Sequence, residues 1–417
     1  MKRTIRDIDV NGKKVLLRVD YNVPLSSNIE ITDDSRIVST IETLEYLLNN
    51  NAAVIIISHL GRPNGKFVKK MSLMPVSIRL SKLLNRPIKF VDDDCISLDS
   101  KKAANDLRPG EVLLLENLRF HPEEEGISKF GIKDNIAMEK FAKELSSMGD
   151  VFVQDAFGVI HRSHASTTSI VKYVSDAAVG FLVEKELNFL GNVLKNPNRP
   201  FLSIIGGAKV SDKINIIESL LNRVDAIIIA GAMSYTFLKS LGVGVGDSLV
   251  ENDKIELSTG LLKKSKSKNV NFLLPIDHIV TDKSSFSNIN NVKHGCMVVK
   301  NTLNSVIDNG FIGVDIGSKS ISKFSDIIKS SKTIFWNGPL GIFEIDEFST
   351  GTIEIAKSIA NRTSEGATSV IGGGDSISAI KKADVGGMIS HISTGGGASL
   401  EFIEDKELPG IVVIPNK

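Results

Sequence analysis

Short runs of β-branched and other apolar residues alternate in this chain with longer stretches of helical spacing, and that alternation restricts the folds open to it. The runs are Val15-Leu16-Leu17, Val54-Ile55-Ile56-Ile57, Val112–Leu115 and Val151-Phe152-Val153. Between the first two, Ile37, Ile41, Leu44, Leu47 and Leu48 recur at the interval of one helical face. Strands that alternate with helices build a parallel sheet covered on both faces. The pattern restarts after Pro200, with Phe201–Ile205, Ala226–Ala230, Asn271–Leu274, Thr333–Trp336 and Ser369–Ile371 as candidate strands. A chain of 417 residues exceeds what one core usually serves. The expected fold is therefore α/β, with two doubly wound parallel-sheet domains. The spacing of Leu182, Leu187, Leu190 and Leu194, ended by Asn196-Pro197-Asn198-Arg199-Pro200, predicts a connecting helix over 181–196 that acts as a helical hinge.

Charge narrows the partners. The 50 Lys+Arg offset 49 Asp+Glu, so no global field draws the chain to nucleic acid or to an anionic membrane, and any basic site must be local. Cys95 and Cys296 are far apart and in no CxxC spacing, which speaks against a disulfide scaffold or a zinc knuckle and for a reducing cytoplasm. No apolar stretch follows Met1–Asp7, and runs such as Ala52–Ile57 are too short to span a bilayer, so neither secretion nor membrane embedding is expected. A monomer is the default.

In open α/β sheets, ligands gather beyond the carboxyl ends of the strands. After the first run stand Asp20 and Asn22, which offer a carboxylate and an amide to a polar ligand or, more simply, make an Asx turn. Ser58-His59-Leu60-Gly61-Arg62-Pro63 follows the second, Glu116-Asn117-Leu118-Arg119 the third, and Asp155–His164 the fourth, with Arg36 opening the first helix. A parallel sheet brings Arg36, Arg62, Arg119 and Arg162 with His59, His161 and His164 to one edge. A lone arginine is usually a solvated surface residue. Four at successive strand ends predict a small, multiply anionic ligand, because guanidinium binds phosphate and carboxylate through paired donors. The same arginines would repel a metal ion from those histidines.

The second half carries different chemistry. Gly206-Gly207-Ala208-Lys209 after a strand predicts a glycine pair at a helix N-terminus, with Lys209 and Lys213 one turn apart on one helical face: a phosphate cradle. It is not a Walker A loop, since neither Gly-Lys pair is followed by Ser or Thr. Ala230-Gly231-Ala232 leaves room for a flat ring or permits close helix packing. Gly372-Gly373-Gly374-Asp375-Ser376 and Ser393-Thr394-Gly395-Gly396-Gly397 are costly in conformational entropy unless backbone must approach something. Asp375 is a candidate Mg²⁺ ligand, or else a helix cap.

Taken in order and spacing, Arg18–Pro24, Ser58–Pro63, Leu115–Phe120, Asp155–Ser166, Gly206–Ile214, Trp336–Glu344, Gly372–Asp375 and Ser393–Leu400 resemble the motifs of the phosphoglycerate kinase family. The resemblance implies reversible phosphoryl transfer between 1,3-bisphosphoglycerate and ADP, giving 3-phosphoglycerate and ATP with Mg²⁺. It implies 3-phosphoglycerate at Asp20, Asn22, Arg36, His59, Arg62, Arg119 and Arg162. The nucleotide is implied at Gly207, Ala208, Lys209, Lys213, Gly231, Gly313, Asn337, Glu344, Gly373, Gly374, Asp375 and Ser376, with adenine near Gly207, Gly231 and Gly313, ribose near Asn337 and Glu344, and metal at Asp375 with Asp212. The tail is expected to return to the first domain, giving residues 1–180 plus 404–417 as one domain and 181–403 as the other. Gln154, Val159, Ile160, Ala230 and Ser376 depart from the usual motif residues.

That reaction suits a site without an obvious base, because its acceptor carboxylate is already ionised at neutral pH. Arg36, Lys209, Lys213 and the Gly395-Gly396 turn are the expected catalytic groups, and sites on separate domains imply a hinge closure. Two rivals have definite signatures. A non-catalytic anion- or RNA-binding protein would not need Lys209, Lys213, Glu344 and Asp375 together. An oxidoreductase would need a GxGxxG turn where Asp20–Pro24 stands.

Overall fold

The computed structural model describes residues 1–128, 130–287 and 299–417, so Cys296 lies outside the described residues. The chain divides into two compact units, Met1–Asn188 with Glu407–Lys417, and Phe189–Lys406. The division falls inside the helix Phe181–Lys195.

The first unit is built on a six-stranded parallel sheet of β1 (Lys14–Val19), β2 (Ala53–Ile57), β3 (Ile88–Phe90), β4 (Val112–Leu114), β5 (Val151–Asp155) and β6 (Asp176–Val179), in the order β3-β4-β2-β1-β5-β6. Every residue of β2, β4 and β5 is buried, which is why these segments read as continuous apolar runs and not as an alternation. One face packs Val15, Leu17, Val54 and Ile56 against Leu44, Leu47, Val76 and Leu80, from the helices Ile41–Asn49 and Met74–Leu84. The edge strands β3 and β6 were not legible as apolar runs. β3 is short and half exposed, and β6 is Asp-Ala-Ala-Val.

The C-terminal segment belongs to this unit. Arg3 N–H donates to Pro415 O at 3.0 Å, Lys417 N–H to Met1 O at 3.0 Å and Gly410 N–H to Ile160 O at 2.8 Å. A Cβ on Gly410 would lie 3.1 Å from Ile160 Cα, so the buried Ile160 is a wall the tail packs on, and Val159 beside it is also buried.

The second unit carries β7 (Phe201–Ile205), β8 (Ala226–Ile229), β9 (Asn271–Leu273), β13 (Thr333–Asn337), β14 (Thr368–Gly372) and β15 (His391–Ile392) in a parallel sheet ordered β15-β14-β13-β7-β8-β9. Its core joins Leu202, Ile204, Ile228, Ile334, Trp336 and Ile371 to Phe324, Ile355 and Ile359 of flanking helices. A separate antiparallel sheet, β10 (His278–Asp282), β11 (Val299–Asn301) and β12 (Phe311–Ile316) in the order β11-β10-β12, is an addition the sequence did not announce. β11 is fully exposed and so has no apolar signature. Among the described residues, no helix is long and apolar enough to cross a membrane.

Candidate functional site

At the carboxyl ends of β1, β2, β4 and β5, the first unit gathers charge. Arg36 pairs with Asp20 Oδ2. Asp20 Oδ1 lies 3.8 Å from His59 Nε2, and Asn22 Oδ1 accepts from Gly61 N–H at 2.8 Å. Arg119, 6 % exposed, donates from Nη1 to Gly61 O at 2.9 Å and pairs through Nε with Glu125 at 3.0 Å. Arg162 is half-buried and donates from Nε to His161 Nε2 at 3.2 Å. The charges of Arg162 and Asp20 are both felt at Arg119, which places the three in one field. Arg62 is exposed on the Gly61–Pro63 loop and makes no hydrogen bond or ion pair among the described residues. Five of the seven residues expected at this edge, Asp20, Arg36, His59, Arg119 and Arg162, are thus brought together. Asn22 fixes the loop that carries Arg62.

Beneath them lies a buried network that sequence reading treated only as the start of a motif. Arg18, 1 % exposed, donates from Nε to Ser166 Oγ at 2.8 Å and from Nη1 to Val19 O, and its Nη2 lies 3.4 Å from His59 Nδ1 and 3.8 Å from Glu124 Oε1. Glu124 accepts from Ser166 Oγ at 2.6 Å and from Ser166 N–H at 3.1 Å. An arginine inside the buried run Val15-Leu16-Leu17-Arg18-Val19 was the available signal, because a buried guanidinium must have a partner. Burial, then the arginines around them, hold both local histidines neutral: His59 falls well below its usual range, and His164 falls to about 3.

The second unit opens two cavities of ≈ 270 Å³ at the ends of β7, β13 and β14. One is lined by Gly207, Ala208, Gly231, Tyr235, Gly313, Leu340, Glu344 and Asp375. Its shape depends on missing side chains, since a Cβ on Gly231 (φ +70°) would lie 2.6 Å from Gly207 O, and one on Gly313 would enter the Tyr235 ring. The other is lined by Lys213, Asn337, Gly373, Gly374, Asp375, Ser376, Gly396 and Gly397. Here Lys213 Nζ donates to Asn337 Oδ1, and burial lowers the lysine below its usual range. Gly373 (φ +89°) precedes the helix Gly374–Lys382, and Gly396 (φ +50°) precedes Gly397–Ile403. Two sets of first-turn N–H groups therefore border the same cavity as the ammonium, an arrangement suited to a phosphate.

Some expectations shift. Lys209 and Lys213 do not share a helical face, because the helix begins only at Ile214 with Lys213 as its N-cap. The reason is Glu251, which accepts from Val210 N–H at 2.5 Å, Ser211 N–H at 3.1 Å and Ser211 Oγ at 2.6 Å, and so holds the preceding turn open. Lys209 is exposed. Asp212 is exposed beside Lys213 and lines neither cavity. Asn337 stands with Lys213, not in the cavity of Glu344. Gly395 is buried behind Gly396. Ser376 Oγ accepts from Gly338 N–H at 2.6 Å, Ala230 is fully buried, and Gln154 Nε2 donates to Thr167 O at 3.4 Å.

Known proteins resemble this chain over its whole length. The family described as Phosphoglycerate kinase matches residues 5–406. A phosphoglycerate kinase of Clostridium botulinum (strain Langeland / NCTC 10281 / Type F) is 49% identical over 417 residues, covering 100% of this chain and 99% of the relative. One of Chlorobium phaeobacteroides is 48% identical over 98% of each chain. Among solved structures, phosphoglycerate kinase from Coxiella burnetii superposes with a TM-score of 0.84 at 35% identity, covering 99% of this chain and 98% of that one. That from Pyrococcus horikoshii OT3 does so with 0.78 at 30%, with the same coverage. With its whole length matched at such identity, the chain belongs to the phosphoglycerate kinase family, phosphotransferases whose acceptor is a carboxyl group.

Proposed function

We propose that the basic edge of the first unit holds 3-phosphoglycerate and that the two cavities of the second unit hold the nucleotide. The reaction is the family's: reversible phosphoryl transfer between 1,3-bisphosphoglycerate and ADP, giving 3-phosphoglycerate and ATP, a step of glycolysis. The observation that carries the nucleotide assignment is the convergence of Lys213 with two glycine-preceded helix N-termini on one cavity.

In this reading, Arg119 and Arg162 hold the substrate phosphate by paired donors, Asp20 and Asn22 accept from its hydroxyl, and Arg36 faces the reacting carboxylate. Neutral His59 donates a hydrogen bond without adding charge. Adenine occupies the cavity of Gly231, Gly313 and Tyr235, with Glu344 toward the ribose. The acceptor carboxylate is already an anion, so this chain's residues have no proton to remove. Their task is to align the reactants and to stabilise charge on the transferring oxygens, through Arg36, Lys213 and the N–H groups after Gly373 and Gly396.

Mg²⁺ takes one or two carboxylates and completes its octahedron with phosphate oxygens and water. Asp375, an exposed carboxylate on the lining of both cavities, fits that demand, and Asp212 does so less well because it lines neither. Mg²⁺, when bound there, neutralises phosphate oxygens. Sparse cysteine supports a cytoplasmic enzyme, and a composition without hydrophobic excess supports a monomer.

The test is a coupled assay of 3-phosphoglycerate-dependent ADP formation from ATP and Mg²⁺. Wild type is expected to be active and Lys213→Ala to lose at least about a hundredfold in kcat, as for a deleted transition-state donor. A folded wild type without activity overturns the reading.

A further inference from the structure

The histidines of the basic edge stand among arginines, but His121 does not share that environment. It lies past Arg119, and its ring stacks on Phe141 with centroids 4.7 Å apart and planes at 28°, which fixes its orientation. Its Nε2 is 2.8 Å from Asp94 Oδ1. Beside Asp94 is Cys95, 1 % exposed and fully inside the first unit. The Cys95 thiol sulfur, a His121 ring nitrogen and an Asp94 carboxylate oxygen all lie within 4.8 Å of one another. On the far side of the ring, Nδ1 lies 3.8 Å from Glu123 Oε2, a buried oxygen with no hydrogen-bond partner among the described residues. A carboxylate oxygen left unpaired behind an imidazole is an anomaly, since such groups are costly to bury. Lys101, whose charge reaches Asp94, is paired with Glu144.

We propose that Cys95 Sγ, His121 Nε2 and an Asp94 carboxylate oxygen form a binding site for a thiophilic divalent cation of the zinc class, with water as the fourth ligand and Glu123 as the acceptor for His121 Nδ1–H. A tetrahedral zinc ion with bonds of about 2.0–2.3 Å sets its donors roughly 3.3–3.8 Å apart, so the 2.8 Å contact of His121 Nε2 with Asp94 Oδ1 opens by about half an ångström as the metal replaces the proton between them, and a donor pair at the 4.8 Å limit closes by about an ångström. The thiolate selects against Mg²⁺ and Ca²⁺, which prefer oxygen. This ion is therefore distinct from the one at Asp375. The Glu123 oxygen acquires a purpose: a ligating histidine almost always donates its other N–H to a carboxylate, carbonyl or water.

The protons balance. On binding, Cys95 gives its thiol proton to solvent as the sulfur–metal bond forms, and the imidazole proton moves from Nε2, now a ligand, to Nδ1. The metal keeps its charge, and no redox step is involved. Bound metal ties the loop after β3 to the segment that carries Arg119. No sequence spacing advertised this site, because Asp94-Cys95 and His121 come from segments that meet only in the folded sheet.

The experiment uses the full chain, stripped with a chelator and titrated with Co²⁺ in the absence of nucleotide. The expected result is one equivalent bound with a thiolate-to-cobalt charge-transfer band in the near ultraviolet, intense tetrahedral visible bands, and displacement by Zn²⁺. Cys296→Ser keeps the band. Cys95→Ser removes it and weakens Co²⁺ binding at least tenfold, while Glu123→Gln keeps the band and weakens binding about ten- to a hundredfold. Absence of the band in wild type, its survival in Cys95→Ser or its loss in Cys296→Ser overturns the proposal. If Cys95→Ser does not fold, the wild type and Cys296→Ser titrations decide.

Discussion

Arg18 Nη2 stands 3.4 Å from His59 Nδ1 inside the first unit. A guanidinium only donates, so the contact makes Nδ1 the acceptor and leaves the ring proton on Nε2, the atom that faces Asp20 Oδ1 at 3.8 Å. A buried side chain beneath the basic edge thus sets the tautomer of one that stands at that edge.

His59 is accordingly expected to stay neutral through the ordinary histidine range, with its proton on Nε2. Burial and the Arg18, Arg119 and Arg36 charges hold its pKa well below the usual value. Nitrogen chemical shifts of the imidazole measured across pH 5 to 8 check this. A ring that titrates near the ordinary ~6.5 would contradict it.

Arg18→Met removes one partner of a buried ion pair and leaves Glu124 with the neutral Ser166 hydroxyl and, at 3.8 Å, His164 Nδ1. The expected loss is about 3–5 kcal/mol of stability, read from the denaturant midpoint. Glu124→Gln with Arg18→Met is expected to recover part of it.

Arg36→Ala is expected to lower kcat about a hundredfold with a smaller change in KM, because its charge matters most when the transferring group carries it. Arg62→Ala, outside the paired network, is expected to act mainly on KM. Steady-state kinetics in both substrates separate the two, and equal effects would remove the distinction drawn here.

Asp155 ends β5 and accepts from Val183 N–H at 3.1 Å, at the first turn of the helix Phe181–Lys195. Burial raises its pKa from 3.8 to about 7. Between those values the folded state holds a proton that the unfolded state has lost, so this group's contribution falls as pH rises from about 4 to 7. Asp155→Asn is expected to flatten the pH dependence of stability in that window. His164 acts in the opposite sense: with its pKa lowered to about 3, it removes stability as pH falls below about 6.5. Melting temperatures from pH 4 to 8 for wild type and Asp155→Asn check the sign, and parallel curves would refute it.

Gly373→Ala tests the phosphate cavity. At φ +89° an alanine is strained, and its Cβ would lie 2.9 Å from Asn337 Nδ2, on the amide that accepts from Lys213. The expected effect is about 1–3 kcal/mol of lost stability with weaker nucleotide binding, by calorimetry.

Local pattern alone determined that this chain is a doubled α/β protein, where most central strands lie, and that charge and glycine collect at their ends. Those features arise from burial on two faces and from backbone needs within a few residues, and both leave a mark on adjacent positions. What only the tertiary structure decided involves residues far apart in the chain. Sequence could list Arg18, Glu124 and Ser166 but not bury them together. It set Lys209 and Lys213 on one helical face, whereas Glu251, some forty residues on, keeps that turn from becoming helix. It passed over β3 and β11, whose exposed positions leave no apolar run, and β6, whose buried positions are two alanines and a single valine. Cys95 and His121 looked unremarkable until the sheet brought their segments within 4.8 Å, since periodicity reports which face a residue buries and not which distant residue it meets there.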